Sequence, residues 1–291
     1  MCQGKQWDVA LAYNDDGGVA AAMPYLIGKR LGMRYILQPQ LTQYSGPWYN
    51  YDAAGMSEYD RISFEQQTTE KLIDAFDNLH IAVFRQCFSP QITNWLPFYQ
   101  HGFRQTTRYT YRIDDISDTQ RVFSMLTAHR RKKINQWDSQ LSFDLLQADD
   151  AAWFADFHTD YWQSKGQRNL LPHSFIERVV STSLRRNSGV VMRLKNRAGD
   201  VLAAAFAVYD SQSAYLLQSA LSPSLHRNGH KETLLWKLIV WLSSRTKSFD
   251  FEGSMVEGIE YFNRSFATRQ VPFFQVERYA NPLLEWYMRR K

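Results

Sequence analysis

At 291 residues the chain has room for one large domain or two of ordinary size, and a hydrophobic share of 44% against 22% charged residues gives it a globular core. Two cysteines far apart, Cys2 and Cys87, argue against a disulfide framework or a cysteine metal centre, and no apolar run has the length of a membrane span. The formal net charge of +5 favours phosphate-bearing partners, and without a signal-peptide core in the first residues the expected location is the cytoplasm. The aromatic share of 15% is high and is read first as core packing.

Taken in chain order, the pattern repeats itself. An apolar run over 9–13, a polar turn over 14–18 and a small-residue run over 19–22 predict a hairpin. A third strand over 33–38 follows, then a helix over 57–78, a strand over 80–87, a short helix over 92–100 and a closing strand over 106–113. After a linker at 114–119, Ser117 and Asp118 are credible caps for a helix running to about residue 137. Its later turns hold the basic run His129-Arg130-Arg131-Lys132-Lys133, where cations suit the helix dipole. Next come a strand over 142–147 and helices over 151–165 and 174–186. The first of these is expected to be capped by Asp149-Asp150 and to bury Trp153, Phe154, Phe157 and Tyr161 on one stripe. The earlier order then returns: a hairpin over 190–205, a strand over 214–219, a helix over 229–245, a strand over 248–252, a short helix over 258–266 and a closing strand over 272–279.

The most chemically suggestive stretch is the last one. Phe249 and Phe251 alternate with Asp250 and Glu252, Gly253-Ser254 breaks the strand, and Ile259, Phe262 and Phe266 share one face of the helix. Two carboxylates one strand step apart push one pKa upward, which suits a base; solvated acids at a strand end are the plain alternative.

This stretch, with Asp250-Phe251-Glu252-Gly253, Gly258-Ile259-Glu260-Tyr261-Phe262 and Phe266-Ala267, resembles the closing motif of the Fem-type (FemAB-like) aminoacyl and peptidyl transferases of the GNAT acyltransferase superfamily. The resemblance reaches back to about Tyr109 and, more weakly, over the first hundred residues. It departs at Asn263-Arg264, where the group usually has lysine, and at Ala267, where it has glycine. The fold it implies, together with the repeat, is α/β (α+β): two tandem GNAT-like units, 1–116 and 117–291, with mixed sheets flanked by helices. The first unit lacks its N-terminal strand and helices. Relatives carry an aromatic-rich helix there, so the chain is expected to begin inside a longer protein.

GNAT-type transfer asks for a base that takes a proton from an amine and donors for a tetrahedral oxyanion. The resemblance places Glu252 and Asp250 as base candidates, Arg264 as the charge donor, and Phe262 and Asn263 beside the acceptor. Arg227 and Gly229, ahead of the 229–245 helix, match part of the GNAT pyrophosphate turn without its second small residue, and a plain glycine turn fits equally. Arg130 and Arg131 are candidate phosphate contacts, as are Lys165 and Arg168. Gln40 and Tyr44, in a polar, aromatic loop with two prolines, are candidate acceptor contacts, against the alternative of a packed loop. The histidines are read as lacking metal-binding spacing, so no metal is expected.

Three functions fit: transfer of an acyl or aminoacyl group to an amine on a cell-envelope or sugar precursor; coenzyme A-dependent N-acylation of a small molecule; and a silent GNAT-fold binder. No tightly bound cofactor is expected. Acyl-CoA or a charged tRNA would be the donor, a phosphate-bearing small molecule or envelope precursor the partner, and DNA is not one.

Overall fold

The structure, a computed structural model, describes residues 5–52, 55–167 and 171–289. Its elements in chain order are β1 (Gln6–Tyr13), β2 (Val19–Arg30), β3 (Met33–Leu37), β4 (Trp48–Tyr49), α1 (Glu58–Asp77), β5 (Ile81–Cys87), α2 (Leu96–Gln100), β6 (Arg104–Ile113), α3 (Thr119–Met125), α4 (Ala128–Trp137) and β7 (Ser142–Leu145). They continue with α5 (Ala151–Ser164), α6 (His173–Arg185), β8 (Gly189–Lys195), β9 (Val201–Tyr209), β10 (Ser213–Leu221), α7 (His230–Leu242), β11 (Ser248–Asp250), α8 (Glu257–Arg264), β12 (Arg269–Tyr279) and α9 (Pro282–Arg289). None of these helices is long and apolar enough to cross a membrane.

The chain forms two compact units, but they divide differently from 1–116 and 117–291. One contains residues 2–108 and 272–291, the other 109–271. The expected closing strand at 272–279 therefore belongs to the N-terminal unit, where Gln275 to Tyr279 pair antiparallel with Cys87 to Val83 of β5. The end of β6 belongs instead to the C-terminal unit, where Ile113 and Arg112 pair with Phe249 and Asp250 of β11. Alternation told that both segments are strands; it carries no information about which edge receives them.

In the N-terminal unit β1, β2 and β3 form an antiparallel meander, β3 pairs parallel with β5, and β4 pairs with β2. One face of this sheet packs Ala10, Ala12, Met23, Ile36 and Phe84 against Leu72, Ile73 and Phe76 of α1. Ser57 caps α1, its hydroxyl accepting from the Asp60 amide at 3.1 Å.

In the C-terminal unit β7, β8, β9 and β10 are antiparallel neighbours and β10 runs parallel to β11. Alternate residues of β8 and β9, Val190, Met192, Ala203 and Ala205, join Leu234, Leu238 and Leu242 of α7 in one core. The opposite face carries α5, whose Phe154 meets Phe206 with ring centroids 6.0 Å apart.

The helix expected over 118–137 is two helices. Leu126 takes an extended conformation (ψ 150°), and Thr127 starts a new helix by accepting from the Arg130 amide. The basic run consequently sits in the first turns of α4, where the dipole opposes cations, and a partner carboxylate is needed to hold it. Neither Asp149 nor Asp150 caps α5: both lie in a short 3-10 turn, and Asp150 makes no side-chain cap bond. The buried stripe of α5 is Phe154, Ala155 and His158, with Trp153, Phe157 and Tyr161 only half-buried.

Candidate active site

The two acids at the end of β11 are treated differently by the fold. Asp250 is buried, and its Oδ1 accepts from the Thr110 hydroxyl at 2.5 Å and from the Glu252 amide at 2.7 Å. Glu252 follows the last paired residue, at φ 57°, a left-handed conformation that costs a non-glycine residue strain. It is half-buried, and its Oε1 is shielded from solvent without a hydrogen-bond partner. Burial first, and the charge of Asp250 second, push the Glu252 carboxyl up to about 8. The two carboxyl groups divide their roles: Glu252, with its raised pKa, is suited to exchange a proton near neutral pH, while Asp250 holds its backbone.

Gly253 makes this arrangement possible. At φ 39° it presses against β6, where an added Cβ would stand 2.1 Å from the Tyr109 carbonyl oxygen and 2.6 Å from the Thr110 Cα. Both neighbours are backbone and cannot swing aside. Gly253→Ala is expected to destabilise the protein by about 3 kcal/mol or more, read from its denaturation midpoint. A change under about 1 kcal/mol would show that this turn relaxes freely.

Helix α8 does not bring Arg264 to the two acids as expected. Its Phe262 packs on Phe266, just past the helix, and Phe266 meets Phe251, just past β11, with ring centroids 5.2 and 5.3 Å apart. Strand alternation sends Asp250 to the opposite face from Phe251. Arg264 is exposed and pairs with Glu260 on its own helix at 3.1 Å. Glu260 in turn accepts from the Tyr111 hydroxyl at 2.9 Å. Asn263 is buried, and Phe262 lies under two cations: the Arg130 guanidinium at 4.4 Å and the Lys231 ammonium at 4.6 Å from its centroid. A lysine thus reaches α8 from α7 rather than from the position after Phe262.

Arg130, expected as a phosphate contact, is only 4% exposed. Its guanidinium pairs with Glu232 and donates to the Ser265 hydroxyl at 2.6 Å. Lys133 reaches the same carboxylate at 2.9 Å. Burial works against the charge on Glu232, yet the Lys133 hydrogen bond and the Arg130 charge hold its carboxyl below the usual range. Arg130 therefore ties α4 to α7. Arg131 is engaged too, donating to the Ser124 carbonyl at 2.7 Å at the end of α3.

The start of α7 is half prepared for an anion. Gly229 at φ 102° opens the helix beneath the Trp137 indole, which would stand 2.7 Å from an added Cβ and which donates to the Asn228 carbonyl at 2.9 Å. The Arg227 amide, however, donates to His230 Nδ1 at 3.0 Å, while His230 Nε2 is buried without a partner. His226 and His230 do stand four residues apart, a spacing the histidine reading overlooked. His226 Nδ1 is engaged with the Ser222 carbonyl at 2.5 Å, and among the described residues no three His, Cys, Asp or Glu converge as a metal set.

Of the other candidates, Lys165 lies at the end of α5 with its ammonium 5.6 Å from the Tyr161 ring, and Arg168 lies outside the described residues. Gln40 is exposed in the N-terminal unit, in a loop packed on β5 through a bond from the Ser45 amide to the Cys87 carbonyl at 2.6 Å. Tyr44 in that loop meets Phe273 edge to face at 5.2 Å. A depression of about 210 Å³ on the C-terminal unit is lined by Arg112, Arg121 and Arg269, each already paired with Asp114 or Asp115.

Sequence reasoning missed Thr110, Trp137, Lys231 and Glu232. Each acts through a partner more than 90 positions away, or through an orientation that periodicity does not encode. Glu232 alone had a signal: an acid in the first turn of an apolar helix.

Residues 124–261 match the family model described as an acetyltransferase (GNAT) domain. Among solved structures, FemX is similar over 98% of this chain and 90% of its own, with 12% identity and a TM-score of 0.71. L-PGS from Bacillus licheniformis is similar over 99% and 88%, with 12% identity and a TM-score of 0.62. A tandem GNAT protein from the clavulanic acid biosynthesis pathway covers 96% and 85%, at 8% identity and a TM-score of 0.53. At such identities the likeness is one of fold, and it agrees with the tandem GNAT-like architecture expected from the repeat. A sequence search of curated proteins gave no match.

Proposed function

We propose, for a chain whose residues 124–261 match a GNAT domain, that it moves an acyl or aminoacyl group onto an amine, with Glu252 as the base. The observation that carries this is the shielded, unpartnered Glu252 oxygen on a carboxyl raised to about 8. The acceptor ammonium would lose its proton to Glu252; the free amine then attacks the carbonyl, and the leaving group departs as the tetrahedral intermediate collapses. Asp250 keeps Glu252 in place through its amide and sustains its basicity by charge.

An aminoacyl donor is favoured over coenzyme A because the Arg227 amide is turned inward to His230 and is lost to a pyrophosphate. The name of a lysylphosphatidylglycerol synthetase, whose C-terminal domain shares the fold at 12% identity, points the same way and toward an envelope precursor as acceptor. The test is single-turnover transfer from charged tRNA and from acyl-CoA to a panel of amines. Turnover should depend on Glu252 and rise with pH through about 8, the range of its carboxyl. A flat profile with either donor would remove the base mechanism.

A further inference from the structure

The β2–β3 hairpin of the N-terminal unit carries a surface that neither its core nor the candidate site uses. Arg30 pairs with Met33, so the turn is the two residues Leu31-Gly32, at φ 50° and 79°. A two-residue hairpin turn with both centres left-handed normally takes Asn-Gly or Asp-Gly. Leucine there crowds its Cβ against the backbone, and at 87% exposed its side chain stands in water. The counterpart hairpin of the C-terminal unit is closed by polar chemistry, with Asp210 Oδ1 accepting from the Gln212 and Ser213 amides at 2.7 and 2.8 Å. The apolar tip is therefore particular to the first unit and not a need of the shared topology.

What surrounds the tip indicates its occupant. Met33 is 43% exposed, and Trp7 on the neighbouring strand β1 is 61% exposed. Lys29, Arg30 and Arg34 are exposed on the two arms of the turn, and residues 17–51 contain no acid at all. Arg34 donates to the Leu79 carbonyl at 3.1 Å, and among the described residues no carboxylate pairs with its charge. An apolar point flanked by cations, with an exposed indole farther up the sheet opposite Leu26, matches a surface that is anionic outside and apolar just beneath. Protein partners seldom combine those two layers without a shaped pocket.

We propose that this hairpin docks the N-terminal unit on an anionic lipid bilayer. Leu31 and Met33 enter the acyl boundary, Trp7 sits at headgroup depth, and Lys29, Arg30 and Arg34 face lipid phosphates. This is independent of the transfer reaction and of its donor.

Co-sedimentation of the full chain with vesicles tests it. Phosphatidylcholine vesicles containing about 30% phosphatidylglycerol should be bound, neutral phosphatidylcholine vesicles should not, and high salt should weaken binding. Leu31→Asn supplies the residue this turn prefers; it should lower affinity about tenfold or more without lowering the thermal midpoint. The Lys29→Glu/Arg30→Glu double variant should abolish binding. No binding to anionic vesicles would overturn the proposal, as would binding equal in wild type and both variants. Full binding by Leu31→Asn with loss only on charge reversal would reduce the hairpin to a basic patch, and insertion would be wrong. A thermal shift with inorganic phosphate but no vesicle binding would equally overturn it.

Discussion

Glu252→Gln is expected to lower transfer by about a hundredfold to ten-thousandfold, the usual contribution of a positioned general base, while leaving donor affinity almost unchanged. The amide keeps the shape of the side chain and loses the proton exchange. The same substitution should change stability in a direction that depends on pH. The carboxyl is raised from 4.5 to about 8, so the folded state holds the proton more tightly than the unfolded chain. The favourable contribution is fully present below 4.5 and is lost as pH rises toward 8. Wild type should thus weaken over that interval and Glu252→Gln should not, a difference of up to a few kcal/mol at alkaline pH. Thermal midpoints of both proteins at acid and alkaline pH measure it. Parallel midpoint curves, or full transfer activity in the variant, would show that Glu252 is a strand-end acid with no part in the reaction. Asp250→Asn should behave differently, since it loosens the Glu252 backbone and removes the neighbouring charge; its pH–rate profile should shift toward acid.

Arg130→Met is expected to cost about 3–5 kcal/mol of stability, the range for removing one partner from a buried ion pair. It leaves the Glu232 carboxylate buried with Lys133 as its charged partner and strips the Ser265 hydroxyl of its donor. The cation over Phe262 goes with it. A second change, Glu232→Leu, should recover much of the loss, because a buried carboxylate left with Lys133 alone dominates the cost rather than a large net worth of the Arg130 pair. Denaturant unfolding of the two single variants and the double variant gives the coupling directly. If Arg130→Met instead weakened phosphate-ligand binding and left the unfolding midpoint in place, the residue would be the phosphate contact that the basic run first suggested.

What the sequence determined by itself was periodic or local. The apolar run from Val9 to Tyr13, the alternation from Phe249 to Glu252, turn residues, and the 3.6-residue spacing of apolar side chains placed nearly every element. Their repeated order pointed to tandem GNAT-like units. Glu252 and Asp250 stood out as candidates for a local reason too, as two acids at a strand end beside glycine. The tertiary structure decided everything that depends on a partner distant in sequence. The strand from Pro272 onward joins β5, because strand pairing is set by sheet edges, to which alternation is blind. Arg130 is a buried tie and not a ligand contact, because Glu232 lies more than a hundred residues away and only folding brings it near. Arg264 pairs with Glu260 on its own helix rather than with the strand-end acids, since the side of a strand on which the following helix packs is set by the core and not by the helix's own sequence. Finally, the raised proton affinity of Glu252 comes from the loss of water around it, a property of the folded environment that no residue pattern states.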